Sequence, residues 1–412
     1  MTTLLVLITT NYPFTYRGGE VMFVAPEVLR LVRVFGTLQV VPQHSRGDRL
    51  DVPDGVTVDL SLAQAIARQH ASAYLCAIAW PGFWTELWRG LRQGGWIGGA
   101  RVWRWAARAQ TTHRWAQGRF EARTPVLFYT YWRGGGTMAV ARLARERAGT
   151  TAVTRVHRYE LYEDSFNPPF QPWHPAQYHA LALTATISQH GFDYLQRAGV
   201  PARRLMLSRL GTESPAVLAR ASIDDCVRIV SCSFMIPVKR VPLIAQALSA
   251  WARRDAARTI YWTHFGAGAE LGRVQAVLRE APANLRASLP GQVANAVVMA
   301  HYAGEPVDVF MLLSASEGLP VSIQEAASAG IPVLATDVGG VRELVGDDNG
   351  ALLAPNPSVA DVLAALDRVL AGGAAMREAS RRRWAAGFDA ERNHLRFAQR
   401  LLELTQQPTR PE

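Results

Sequence analysis

The sequence predicts an α/β protein of two Rossmann-like domains in tandem, and three observations carry that expectation. A chain of 412 residues exceeds what one ordinary core supports, so two domains of roughly 200 residues are expected. Short β-rich runs alternate with helical patterns along both halves, which is the signature of βαβ units and a parallel sheet. With 49% hydrophobic and 19% charged residues and no internal repeat or low-complexity tract, the chain is neither disordered nor a solenoid.

The first element is the apolar run Leu4–Thr9. It lacks a basic flank and is too short for a signal-peptide core with a cleavage site, so it reads as a buried strand. Further strands are expected at 38–41, Val126–Thr130, 152–156 and 183–187. A joint is placed near 208–213. In the second half a strand at 227–232 precedes a helix at 242–253. A strand at Thr259–Phe265, a helix at 269–280 and a strand at 296–301 follow. Open α/β sheets bind ligands beyond the carboxyl ends of their strands, so the residues just after each strand are the candidates for function. Neither half has a G-x-G-x-x-G run after its first strand, which counts against a nicotinamide or flavin enzyme.

A formal charge of +10 and a pI near 10.0 imply an anionic partner: nucleotide, nucleic acid or acidic membrane surface. Cys76, Cys226 and Cys232 form neither a disulfide framework nor a zinc spacing. No stretch of about 18 uncharged apolar residues is present, as a spanning helix would require. A cytoplasmic chain that holds no metal fits these facts best. Between Trp80 and Phe120 lie seven of the 12 tryptophans, seven arginines and one acid, Glu86. Trp84, Leu87, Trp88 and Leu91 share a helical face. After glycine pairs at 94–95 and 98–99, Val102, Trp105, Ala106 and Ala109 share another, with Arg101, Arg104 and Arg108 opposite. Such a segment suits an interfacial membrane helix, and equally a set of tryptophans that completes the N-terminal core beneath a solvated basic face. Stacking of single-stranded nucleic acid is a third use; without a recognisable binding module, no nucleic-acid partner is expected.

One of the 44 basic residues is a lysine, Lys239, between a strand pattern and a helix pattern. Lysine is a compact point charge on a flexible stem and arginine a planar fork, which makes Lys239 a phosphate-site candidate. Downstream, 308–340 parses as strand, loop, helix, strand. Gly318 and Leu319 supply the turn, Pro320 suits the first helical position, and Gly330 suits the helix end. The exposed amides from Val321 to Ile323 form an anion site by geometry and dipole. Glu317 lies before that helix and Glu325 a turn inside it, where ionised carboxylates can accept paired hydroxyl hydrogen bonds from a sugar or a ribose. Read as structure alone, the first is a helix-start charge and the second a solvated helix residue.

Glu317 and Glu325 with seven residues between, Gly318, Pro320, Gly330-x-Pro332 and Asp337-x-Gly339-Gly340 together resemble the E-x7-E region of retaining glycosyltransferases of family 4. Ser188-Gln-His-Gly191, Arg209-Leu-Gly211, Tyr12-Pro13 with Gly18-Gly19-Glu20, and Phe128-Tyr-Thr-Tyr-Trp132 are similar to segments of members that build bacterial exopolysaccharide, capsule, O-antigen or colanic acid. The resemblance implies the GT-B fold, two Rossmann-like domains facing across a cleft. The N-terminal, acceptor-binding domain would be 1–207 plus 386–412, with a last helix near 389–404 crossing back onto it, and the nucleotide-sugar domain 208–385. It implies transfer of a sugar from a UDP- or GDP-linked donor, without cofactor or metal, to a glycan or polyprenyl-diphosphate-linked glycan on the cytoplasmic face of the membrane.

By the same resemblance, Lys239 binds the donor diphosphate, Glu325 the nucleotide ribose and Glu317 the donor sugar. Gly18 and Gly19 let backbone approach the substrates, and Gly318, Leu319, Pro320 and Val321 line the donor. The family usually has a basic residue five positions before the lysine, where this chain has Phe234; Arg240 is the candidate replacement. His157 corresponds to a donor-facing histidine of a His-Gly-x-Asp run, written here His157-Arg-Tyr-Glu160. A soluble metabolite glycosyltransferase, a phosphorylase and a non-catalytic nucleotide-sugar-binding scaffold are the rival readings on this fold.

Overall fold

The computed structural model describes residues 3–15, 19–68 and 71–406; Gly18 lies outside them. Two compact units divide it, Met1–Ser208 with Glu391–Glu412, and Arg209–Ala390, where the sequence reading put its joints at 207/208 and 385/386.

Among the described residues the N-terminal unit has a seven-stranded sheet. Its strands are β1 (Leu4–Thr9), β2 (Leu38–Pro42), β3 (Val56–Val58), β4 (Val126–Thr130), β5 (Thr150–Val156), β6 (Leu183–Thr186) and β7 (Leu205–Leu207). Their order is β3-β2-β1-β4-β5-β6-β7, and every pairing is parallel. Both faces are covered, so the strands read as continuous apolar runs. Leu5, Leu7, Leu127 and Tyr129 pack one way, and Val6, Ile8 and Phe128 the other. The last helix, Ala390–Gln406, adds Phe397, Ala398 and Leu401 to the first face. A buried ionic network also fixes it. Arg155 Nη2 forms an ion pair with Glu27 Oε2 at 3.0 Å and the guanidinium donates to Tyr129 Oη at 2.9 Å and Ser208 O at 2.6 Å, while His394 Nδ1 lies 3.4 Å from Glu27. Burial would raise the Glu27 pKa, but Arg155, His394 and Tyr129 hold it at about 2.

The C-terminal unit has β8 (Cys226–Cys232), β9 (Thr259–Phe265), β10 (Leu285–Gly291), β11 (Val309–Leu312), β12 (Val333–Thr336) and β13 (Gly350–Leu353). The order is β10-β9-β8-β11-β12-β13, again parallel throughout. In each sheet the order reverses beside the unit's first strand, between β1 and β4 and between β8 and β11. Such a switch point is where open sheets leave a crevice for ligands.

One expected strand is a helix. Residues 296–301 lie in Asn295–Gly304, because a short apolar run does not itself separate a buried strand from a helix. The true strand, β10, is an edge whose outward side chains, such as Arg286 and Ser288, are exposed, so its apolar pattern is faint.

The tryptophan segment is one long helical element, Phe83–Arg119, broken at Gly95 (φ 55°, ψ −153°). Its arms fold back until a Cβ on Gly98 would lie 2.1 Å from Gly90 O. The glycines therefore make a close-packed hairpin. Val102, Ala106 and Ala109 enter the core, as does part of Leu87. Arg101, on a lipid-facing or a solvated face in the readings of this segment, is buried, with Nη1 donating to Pro168 O at 3.1 Å and Phe170 O at 2.5 Å.

Candidate active site

Lys239 stands at the switch point of the C-terminal sheet. The loop after β8 is pinned by buried Met235, whose N–H donates to Ala267 O and whose carbonyl accepts from Glu270 N, both at 2.9 Å. Pro237–Lys239 form a single 3-10 turn. Ala315 N donates to Val238 O at 2.7 Å, stitching this loop to the one after β11. Lys239 Nζ thereby meets Glu317 Oε1 at 2.5 Å, and Ser314 Oγ donates to the same oxygen at 2.6 Å. Glu317 is buried and the Lys239 side chain is 21% exposed, so the ammonium borders open space with one counter-charge beneath it.

Arg240 does not join them. It adopts a left-handed conformation (φ 50°) and sends its guanidinium to Pro355 O and Asn356 Oδ1, each at 2.5 Å. The charge expected to replace the one missing at Phe234 is engaged with the loop after β13. Phe234 itself is exposed.

Gly318, Leu319 and Pro320 lead into the helix Val321–Ser328, with Pro320 as its extended N-cap (φ −65°, ψ 125°) rather than its first helical residue, and Gly330 in the left-handed position beyond its end. The amides of Val321, Ser322 and Ile323 have no partner within the helix by its geometry. Behind the loop, Gly340 N donates to Gly318 O at 2.6 Å. Gly339 has φ +56°, and a Cβ there would fall 1.9 Å from Glu317 O. The Asp-x-Gly-Gly run is thus the backing of the Glu317 loop. We expect Gly339→Ala to lower the thermal midpoint and to impair whatever Glu317 does, measured by melting and ligand binding. An unchanged protein would show that the loop has room to shift.

Glu325 is not solvated. It is 8% exposed and accepts from Asn295 Nδ2 at 2.6 Å. Burial raises its pKa to about 7 despite that bond. Asn295 and Ser314 were missed by sequence reasoning. Asn295 directly precedes the segment read as a strand, 296–301, and Ser314 carries no spacing signal.

In the N-terminal unit His157 follows β5. Glu160 Oε1 accepts from the His157 amide at 2.8 Å and lies 2.9 Å from its Nδ1, closing a capping box on the short helix Arg158–Leu161. Glutamate at this third helical position reaches back to the N-cap amide, as in a capping box. The ring stacks on Trp132 at 4.1 Å, and buried Nε2 has no protein partner. Gly19 starts the helix Gly19–Phe35, while Glu20 does the anchoring. Its carboxylate accepts from the amides of Thr10, Asn11 and Tyr12 at 2.5–2.9 Å and from Trp132 Nε1 at 2.8 Å. Among the described residues no group of three His, Cys, Asp or Glu side chains is placed to hold a metal ion.

Two Rossmann-like units with these sheet orders make a GT-B fold. Solved structures share it at low identity. A lipopolysaccharide outer core galactosyltransferase, WaaB, superposes with TM-score 0.64 and 14% identity over 96% of this chain and 99% of its own. Sucrose-phosphate synthase from Thermosynechococcus elongatus gives 0.65 and 15% over 98% and 99%. Anabaena Alr3699/HepE, solved with UDP, gives 0.60 and 16% over 97% and 100%. Residues 229–386 match the family described as Glycosyl transferases group 1; this span holds Lys239, Glu317 and Glu325. A 46-residue stretch is 54% identical to the O-antigen biosynthesis glycosyltransferase WbnH of Escherichia coli, covering 11% of this chain and 13% of that protein's length.

Proposed function

We propose that the protein is a retaining glycosyltransferase that moves a sugar from a UDP- or GDP-linked donor to a lipid-linked glycan in bacterial surface polysaccharide synthesis. The observation that carries this reading is the meeting of Lys239 and Glu317, with Glu325 a turn beyond, at the switch point of a sheet within the span similar to glycosyl transferases. Charge develops on the departing nucleoside diphosphate, and Lys239 with the amides at Val321 to Ile323 is preorganised to meet it. Glu317 takes sugar hydroxyls, and Glu325 takes the ribose diol. The acceptor attacks the face from which the diphosphate leaves, so no enzyme nucleophile is assigned. His157, with a free buried Nε2, is assigned to the donor sugar. Neutralisation is given to these groups and not to a metal.

Release of nucleoside diphosphate from UDP- and GDP-sugars tests the reading, with the anomeric configuration of the product read by NMR. Turnover with retention supports it; nucleotide binding without release would make the chain a scaffold.

The acceptor is placed at an anionic bilayer, which the hairpin fits. Trp84 (64% exposed), Trp88 (61%), Trp96 (78%), Leu75, Ile78 and Leu91 present apolar surface, and the exposed Arg92 lies over the Trp88 ring at 5.2 Å. Glu86, the segment's one acid, is buried and bonded to Arg89 at 2.6 Å. Tryptophans beside arginines, free of exposed carboxylate, suit an interfacial contact with anionic lipid. No described helix is long and apolar enough to cross a membrane. We expect co-sedimentation with phosphatidylglycerol vesicles, weakened more than tenfold by the combined Trp84→Ser, Trp88→Ser and Trp96→Ser changes, with nucleotide binding unaltered. Equal sedimentation of both proteins would give the surface to another partner.

A further inference from the structure

The N-terminal sheet has its own crevice at its own switch point, a cavity of about 560 Å³ bounded by the ends of β1, β2, β4 and β5. Three features converge there. The first is a helix N-terminus: the run Arg133-Gly-Gly-Gly-Thr137 after β4 opens the helix Gly135–Glu146, so the amides of Gly135, Gly136 and Thr137 lack intrahelical partners and face anions favourably. The second is the hairpin's second arm, brought against that terminus because a Cβ on Gly135 would fall 2.6 Å from Trp105 O and 2.9 Å from Arg108 Cβ. It delivers Arg101, Arg104 and Arg108 to the cavity wall, where His44 and Arg133 also stand.

The third feature is unsatisfied cation. Arg133 is 4% exposed, and although Nη1 and Nη2 bond Gln171 Oε1 at 2.5 Å and Pro172 O at 2.9 Å, buried Nε has no partner; nor has buried Nη1 of Arg108. Glu160 is the one carboxylate on the wall; its Oε1 is occupied by His157, and its buried Oε2 has no hydrogen-bond partner. Buried polar groups are ordinarily paired, and burying charge without a partner is costly. Burial lowers the pKa of Arg101, Arg108 and Arg133, and Arg104 lowers that of Arg101 further. The wall is completed by Trp105, Trp132, Tyr159 and Phe166.

We propose that this cavity binds a diphosphate group of the acceptor, held by Arg104, Arg108, Arg133 and the amides at 135–137, with the aromatic wall taking the attached sugar or lipid. Arg104, Arg108, the unpaired Nε of Arg133 and a helix terminus exceed what one carboxylate would occupy and match the oxygens of a diphosphate. The inference rests on the glycosyltransferase reading but has its own ligand and its own residues, none of them in the donor site.

Titration calorimetry with inorganic pyrophosphate tests it. Because pyrophosphate also fits the Lys239 site, the titration is run in Lys239→Ala, where binding is expected to persist. Adding Arg104→Ala and Arg108→Gln is expected to weaken it at least tenfold. Arg104 is exposed, so Arg104→Ala alone keeps the test open if the double change unfolds. Loss of all pyrophosphate binding in Lys239→Ala, or full binding in the arginine variants, would overturn the proposal. Farnesyl diphosphate distinguishes the sources of the group: tenfold tighter binding than pyrophosphate assigns a lipid-linked acceptor, and equal binding a soluble one, both at this cavity. Nucleotide stabilisation of the wild type, measured alongside, reports separately on the donor reading.

Discussion

Lys239→Ala is expected to slow sugar transfer by about 10²–10³-fold, the usual cost of removing one preorganised donor from a developing anion. The ammonium sits 2.5 Å from Glu317 Oε1 on a loop pinned by Met235 and stitched at Val238 to the loop after β11, so it needs little reorganisation when the diphosphate leaves. Its removal leaves Glu317 bonded to Ser314 Oγ at 2.6 Å, and the fold is expected to survive because the lysine side chain is partly exposed. Lys239→Arg is not expected to restore the rate: a planar fork cannot take the place of a point charge between the Glu317 carboxylate and a phosphate. Single-turnover rates with saturating donor check both variants. Wild-type rates in Lys239→Ala would remove the residue from the site.

The second large effect is pH-dependent and belongs to Glu325. Burial raises its pKa from about 4.5 to about 7, while the Asn295 bond opposes the rise. An acid held neutral by folding stabilises the fold fully below the unfolded value, and that contribution is lost as pH climbs through about 7; it amounts to the order of 3 kcal/mol. The same proton loss creates the carboxylate that accepts the ribose hydroxyls. Donor affinity is therefore expected to rise about tenfold between pH 6 and pH 8, as the ionised fraction rises, while the ligand-free protein melts at a lower temperature. Glu325→Gln is expected to flatten both curves, and Glu325→Ala to weaken donor binding at every pH. Calorimetry and melting across that range check the pair of opposed trends. Parallel trends would separate Glu325 from the ribose.

Much of this was legible in the sequence because the signals were local. Strand β11, the Gly318-Leu319-Pro320 turn and the helix at Val321–Ser328 follow from apolar runs, turn residues and a glycine stop, and a lone lysine is visible by counting. What failed to show depends on tertiary context. Glu325 is buried by elements far from it in sequence, so nothing near it distinguishes it from a solvated helix residue. Arg240 follows Lys239 directly, yet its left-handed backbone turns it toward Asn356. Strand β10 hides because an edge strand need not be apolar, and the equally short run at 296–301 took its place in the reading. The cationic cavity of the N-terminal unit could not be assembled either. Its arginines come from 101–108 and 133, and they are joined by tertiary contacts such as those at Gly135 and between Arg133 and Trp105.

The measurement that tests the donor site most directly is the thermal midpoint of the protein against UDP, GDP, ADP and their sugar conjugates, beside Lys239→Ala, since a ligand that binds only the folded state must raise it. One nucleoside diphosphate should raise the wild-type midpoint by several degrees and leave Lys239→Ala nearly unmoved. No shift with any nucleotide, or an equal shift in both proteins, would contradict a donor site built on Lys239.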